Sequence, residues 1–334
     1  MGTRFCQILR LSLLGFWSVV CLFPLYWIAI TSLKDEAAII NGPLFLPYFD
    51  FSPSLAAWDY VLFYPNVDLF GRFLNSAIIG LSATVLTLVI GGFSAYGLTR
   101  FRFALPWLSI LLGFLLLVGA VLAVQLPVYR RAWLPAIVLI GGLVVTMRYF
   151  RWRPTIGNRG LLTVLFSTRM LPPLVIVLPL YLSAQFTGIL DTWFILILVY
   201  TAINLLVAVL LLLAVFGNEA TDYEEAAQLE GASRVRVFLE IFVPTVASRV
   251  AAVGLAVFIL CWTEYLFAAY LAGDQAMTLP PWVVGQISMK EAQVGGDQVE
   301  WARFSAAAVL MVLPPLVAIT LTLRFLGKMA FWKR

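Results

Sequence analysis

The chain has 334 residues, of which 62% are hydrophobic and 12% charged, with a net charge of +5 and a mean hydropathy of +0.97. That composition excludes a water-soluble globule with a polar shell. The absence of histidine removes the usual near-neutral acid–base group, and Cys6, Cys21 and Cys261 lie in apolar segments without C-x-x-C spacing, so neither a disulfide scaffold nor a metal site is expected.

A helix needs about 20 apolar residues to cross about 30 Å of hydrocarbon, and unpaired peptide groups in lipid restrict spanning segments to helices or closed barrels. The apolar runs are long and lack strict alternation, which favours helices. Eight spans are expected, at 11–33, 74–98, 105–124, 132–147, 161–183, 192–216, 246–271 and 304–326. The first follows Arg4 and Arg10 but is longer than a usual signal core and has no convincing A-x-A site after it, so it reads as a retained anchor. The stretch RYFRWRPTIGNRG (148–160) interleaves arginine with aromatic residues and reads as an interfacial anchor rather than a nucleic-acid patch. With the N-terminus inside, one side of the membrane receives fifteen of the 22 Lys and Arg residues and the other six, Arg169 lying within a span. Both termini are therefore expected in the cytoplasm. Basic cytoplasmic loops near anionic lipid account for the pI of 9.2 without a nucleic-acid partner.

Between the sixth and seventh spans lies a polar loop, 217–245. Thr221-Asp222-Tyr223-Glu224 fits a capping box, so a short helix is expected to start there. Ala220, Tyr223 and Ala227 recur at helical spacing beside Ala226, and Gly231 supplies the left-handed turn that ends the helix. A second amphipathic helix carries Val235, Phe238, Leu239 and Phe242 until Pro244 breaks it before the next span. An amphipathic loop resting on lipid is one reading of this element. The acids Asp222, Glu224, Glu225 and Glu230 suit anionic lipid poorly, and an alanine face flanked by acids suits a groove in another protein.

Glu225-Ala226-Ala227, Gly231, Ile241 and Val243-Pro244 resemble the loop EAA-x3-G-x9-I-x-L-P of ABC importer permeases, with valine where leucine is usual. The flanks are similar to the carbohydrate permeases of the MalG type: PLYWIAITSLKDEAAI (24–39), NSAIIG (75–80), RMLPPLVIVLPLYL (169–182), GILDTWFILIL (188–198), WTEYLFAAYL (262–271) and FSAAAVLMVLPPL (304–316). The resemblance covers about 5–103 and 161–326. It implies an all-α, polytopic transmembrane bundle with the six-span core of a type I importer, placed in a bacterial or archaeal cytoplasmic membrane. It also implies a second, MalF-like permease chain, an ATPase dimer that holds ATP and Mg, and an extracytoplasmic solute-binding protein. This chain would bind no cofactor, in keeping with the lack of G-x-x-x-x-G-K-[ST]. The transported solute would be a sugar, polyol or sugar derivative. In the coupling loop, Tyr223, Glu224 and Glu225 would meet the ATPase, Ala226 and Ala227 would permit close approach, Gly231 would set the interhelical angle, and Ile241 and Pro244 would anchor the loop.

Residues 104–160 depart from that family pattern, dividing the chain into 1–103, an inserted hydrophobic hairpin, and a core region 161–334 that contains the loop. Either both inserted segments cross or neither does, because one crossing would turn the coupling loop away from its ATPase. A crossing hairpin, giving about eight spans, is expected over a re-entrant pair. Glu264, between Trp262, Thr263 and Tyr265, is the one acid placed inside a span, and intramembrane acids mark substrate routes or bury against partners. Trp262, Glu264, Tyr265 and Asn204 are therefore substrate-path candidates, with helix-end packing and an interhelical hydrogen bond as the alternatives. Lys34, Asp35, Glu36, Leu279, Pro280 and Trp282 in the outer loops are candidates for docking the binding protein. A secondary carrier working alone and a non-transporting membrane anchor are the rival classes; neither explains the loop.

Overall fold

The computed structural model describes residues 2–64, 67–102, 105–106, 141–142, 155–217, 219, 222–288 and 301–332. The helices are α1 (Gly2–Thr31), α2 (Glu36–Ile40), α3 (Ala56–Phe63), α4 (Leu69–Arg100), α5 (Asn158–Arg169), α6 (Pro173–Thr187) and α7 (Trp193–Phe216). They continue as α8 (Asp222–Leu229), α9 (Arg234–Trp262), α10 (Leu266–Leu271), α11 (Leu279–Ser288) and α12 (Trp301–Trp332). Among the described residues five helical stretches are long and apolar enough to cross a membrane: Leu9–Thr31, Leu69–Arg100, Trp193–Phe216, Arg234–Trp262 and Trp301–Arg324. The expected spans 105–124 and 132–147 lie almost wholly outside the described residues.

Three expectations need correction. The span expected at 161–183 is two helices, because Pro172 and Pro173 follow Leu171. A residue before proline is pushed out of the helical region, and Pro172 is extended at ψ 132, whereas Pro173 opens α6, where its missing N–H costs nothing. The span expected at 246–271 stops at Trp262, and a new short helix begins after Thr263–Tyr265. The Glu264 carboxylate accepts the Phe267 amide at 3.3 Å, which favours a fresh helix start over continuation. Finally, Pro244 does not break the second loop helix from the membrane span. Residues Val237–Phe242 widen into a π-turn, and one helix runs from Arg234 to Trp262. The wider turn accommodates the proline, whose ring clashes with the carbonyl four residues back in a regular helix.

The chain divides into two compact units, one of Met1–Leu74 with Thr278–Val317, the other of Asn75–Met277 with Ala318–Arg334. In the first, Ile30, Ala38 and Phe51 form a small core against Trp27, Leu33 and Leu44. The apolar window of α1 is only 6% buried. In the second, α7 and α9 pack extensively together, and the most apolar window of α7 is 56% buried. Its core runs through Ile79, Ala83, Tyr96, Leu196, Tyr200, Leu212, Phe216, Phe242 and Val257. Two short strands, β1 (Leu105–Pro106) and β2 (Thr155–Ile156), pair antiparallel. Beside them the Asn158 amide donates to the carbonyls of Leu98 and Phe101, each at 2.8 Å. The chain on either side of residues 107–154 is thus held at one place, next to the C-terminal end of α4.

Candidate functional site

Helix α8 carries three acids in its first turn, Asp222, Glu224 and Glu225, where the positive end of the helix dipole favours them. Thr221, the expected cap, lies outside the described residues. The helix ends in a Schellman arrangement: Gly231 N donates to Gln228 O and Ala232 N to Ala227 O, both at 3.0 Å. Gly231 sits at φ +91, with nothing within 4 Å of where a Cβ would stand. Ser233 then opens α9, its hydroxyl accepting Arg236 N at 3.3 Å.

Successive residues on α8 point about 100° apart, and that separates Glu224 from Glu225. Glu225 is exposed, as are Tyr223 (75%), Ala226 and Leu229 (91%). Glu224 is 3% exposed. Its carboxylate accepts Arg100 Nη2 at 2.6 Å and Arg100 Nε at 3.1 Å on one oxygen, and the Tyr96 hydroxyl at 2.6 Å on the other. A buried carboxylate is costly unless it is paired and hydrogen-bonded, and here both conditions are met. Aromatic rings wall the pair. Tyr96 lies 4.7 Å from Phe238 and 5.2 Å from Phe242, Phe216 lies 4.9 Å from Phe242, and the Arg100 guanidinium sits over the Phe242 ring at 5.3 Å. Arg249 of α9 pairs with Glu219, just before α8.

Ile241 is half-buried in the π-turn and Pro244 exposed beyond it, with Ala227 half-buried on α8. The loop residues picked from sequence therefore come together, but on two faces: Tyr223, Glu225 and Ala226 outward, Glu224 inward. Tyr96 and Arg100 were missed. In sequence Arg100 reads as one more cytoplasmic positive charge, and no local pattern assigns it a partner 124 residues away.

At the opposite end of α4, Asn75 is buried. Its amide nitrogen donates to Gln275 O at 2.8 Å and Met277 O at 3.0 Å, while its amide oxygen accepts Trp193 Nε1 at 2.9 Å. Asp191, at φ 58, accepts the amides of Gly273, Gln275 and Ala276 at 2.7, 3.1 and 2.8 Å. Loop 272–277 is thus fastened by two side chains from other elements.

The other picks do not form one constellation. Asn204 is buried and donates to Tyr200 O at 3.0 Å and Cys261 Sγ at 3.4 Å, so it ties α7 to α9. Trp262 is buried against Phe258. Glu264 lies at the helix break with Tyr265 exposed beside it. Of the docking picks, Lys34, Leu279, Pro280 and Trp282 are buried in their unit, which corrects their reading as a surface. The Lys34 ammonium sits 4.4 Å from the Trp27 ring centroid beside a cavity of about 340 Å³. Burial holds its pKa below the ordinary lysine value, opposed by the charge of Asp50. Asp35 is exposed and caps α2 through Ala38 N at 2.8 Å; Glu36 opens that helix. Among the described residues no group of three or more His, Cys, Asp or Glu is placed to hold a metal ion.

Residues 137–329, more than half of the chain, match the family described as binding-protein-dependent transport system inner membrane component. The chain is 25% identical over 307 residues, 92% of its length and 81% of the relative's, to the diacetylchitobiose uptake system permease protein NgcG of Streptomyces coelicolor. It is 26% identical, over 91% of each chain, to the trehalose transport system permease protein SugB of Mycobacterium tuberculosis. In fold it is similar to a chain in the crystal structure of a bacterial ABC transporter that imports the acidic polysaccharide alginate, with a TM-score of 0.61 at 17% identity, covering 97% of this chain and 98% of the other.

Proposed function

The chain belongs to the family of binding-protein-dependent transport system inner membrane components, a permease subunit of an ABC importer, and we propose that it carries a sugar, polyol or sugar derivative. The names of its relatives, permeases for diacetylchitobiose and trehalose, support that class of solute. The observation that carries the coupling mechanism is the two-faced helix α8, which buries Glu224 in its own bundle and leaves Tyr223, Glu225, Ala226 and Leu229 outward. An exposed apolar and acidic ridge on a helix fixed from behind suits insertion into a groove of another protein. On this reading α8 is the coupling helix, seated in a cleft of an ATPase dimer that holds ATP and Mg. Closure of that dimer displaces α8 as a rigid body and tips the bundle between inward-open and outward-open states.

A second permease chain and an extracytoplasmic solute-binding protein complete the complex in the cytoplasmic membrane. The largely uncovered apolar surface of α1 suits lipid or that second permease. Both termini lie in the cytoplasm, and residues 104–160 add a hairpin to a six-span core. The pairing of β1 with β2 supports an even number of crossings between them, because the two ends of the insertion meet. The helix break at Thr263–Tyr265 supports Glu264 and Tyr265 as substrate-path residues, since interrupted helices line cavities in transporters.

Purification of the chain with its complex and reconstitution test this reading. An ATPase is expected to co-purify, and solute uptake to require ATP. Glu225→Lys or Gly231→Pro should each abolish transport-coupled ATP hydrolysis while the protein still inserts in the membrane. Wild-type uptake in both variants, or ATP-independent uptake by the chain alone, would refute it; the latter outcome is that of a secondary carrier.

A further inference from the structure

We propose that Glu224, Arg100 and Tyr96 are positioning residues that clamp α8 to α4, so that α4, rather than the helix following α8 in sequence, carries the displacement to the opposite face. The inference rests on the coupling role given to α8 above.

The covalent route from α8 runs through residues 230–233 into α9. That route turns at Gly231, at φ +91, with no neighbouring atom within 4 Å of a Cβ position. A glycine turn with free space around it absorbs a change of angle between the helices it joins. Helix α8 also packs on the π-turn of α9, but its ion pair and side-chain hydrogen bonds run to α4, and that link has no such slack. Arg100 meets Glu224 through both Nε and Nη2, and a planar guanidinium fork resists rotation as well as separation. Tyr96, one helical turn earlier, holds the second carboxylate oxygen. The pair is shielded from water, with side-chain exposures of 14% and 5%, so its attraction is weakly screened. Phe238 and Phe242 of α9 pack on Tyr96, which keeps the clamp aligned while the glycine turn flexes.

Helix α4 then continues without a break from Arg100 to Asn75, a length of about 38 Å at 1.5 Å per residue. At that far end Asn75 grips Gln275 O and Met277 O. A rigid rod clamped at one end and holding a loop at the other transmits translation across the membrane. Arg100 and Asn75 are the two ends of that path; Asp191 holds the same loop to the start of α7.

The test uses the assembled complex with Cys6, Cys21 and Cys261 replaced by alanine and spin labels at Glu230, the residue that follows α8 and whose amide bonds Ala226 O, and Arg102 just past α4. Electron–electron distance measurements with and without ATP are expected to show this separation unchanged while a label pair across the two ATPase subunits moves. A change of more than about 5 Å between Glu230 and Arg102, one helical turn, overturns the clamp while leaving the coupling reading in place. If no ATPase is bound to α8, it is the coupling reading that falls. In proteoliposomes, Arg100→Ala, Glu224→Gln and Tyr96→Phe are expected to raise the ATP hydrolysed per solute imported, by at least about tenfold for the first, which is the signature of lost transmission rather than lost binding. An unchanged ratio in Arg100→Ala overturns the proposal. Where a variant fails to assemble, the distance measurement on the unsubstituted clamp decides.

Discussion

The two ends of α4 are fastened by opposite chemistries. At the Arg100 end the partners are side chains: a carboxylate, a guanidinium and a phenol among aromatic rings. At the Asn75 end they are, apart from the Trp193 indole, backbone groups of loop 272–277, held by one amide and, from α7's start, one carboxylate. Side chain to backbone bonding fixes the shape of a loop. Side chain to side chain bonding fixes the relation of two rigid elements while leaving each intact. The first is suited to holding a surface steady, the second to passing a movement on.

The largest expected effect that would break this contrast is at Glu224. Glu224→Ala leaves the Arg100 charge buried and unpaired, at a cost of about 3–5 kcal/mol. Glu224→Gln, which keeps an acceptor for Tyr96, should cost less, and apparent unfolding temperatures in detergent separate the two. Equal losses would mean that the charge carries the whole effect and the retained acceptor contributes nothing. Next comes Asp191→Ala, which deprives three loop amides of their acceptor and should cost about 2–3 kcal/mol. Asp191→Asn should recover part of that, because its oxygen still accepts and asparagine tolerates the positive φ. Faster amide exchange confined to 273–276 in the alanine variant would sharpen the distinction between fixing a loop and linking helices.

A smaller effect is expected at the turn between α8 and α9. Gly231→Ala meets no neighbouring atom, so its cost is the left-handed conformation alone, about 1–2 kcal/mol. A larger loss by thermal unfolding would show that the turn is more tightly held than the open space around it implies. The smallest effect belongs to Asp50, a solvent-exposed counterpart of Asp191. The amides of Leu46 and Phe45 hold its carboxyl below the usual aspartate range. A depressed carboxylate pKa gives stabilisation that is complete above the unfolded value of about 3.9 and lost as pH falls through the folded value. The protection of the Phe45 and Leu46 amides, relative to the intrinsic exchange rate at each pH, should therefore fall only below about pH 4, and Asp50→Asn should remove that pH dependence.

Much of loop 217–245 was legible because its signals are local. Gly231 ends a helix wherever the chain goes next, and the acids of α8 favour its first turn by the dipole alone. The π-turn was not legible: Pro244 reads as a breaker, and only the continuous packing of α9 against α7 shows how the helix absorbs it. Glu224 and Glu225 are indistinguishable in composition. Their opposite fates follow from which side of a short helix meets α4. Lys34 misled in the same way, since a lysine in an outer loop reads as surface until Trp27 and Phe51 are seen around its stem and charge.

From the residues alone came the solvent of this chain, the helical character of its apolar runs and the place of the hinged polar loop, because each depends on hydrophobicity and backbone preferences within a few turns. Only the tertiary structure decided which acid is buried in an ion pair and which is exposed, and that Arg100 and Asn75 are fastened at the two ends of one helix. The pairings of Glu224 with Arg100 and of Asn75 with loop 272–277 join residues more than a hundred positions apart, and nothing local encodes them.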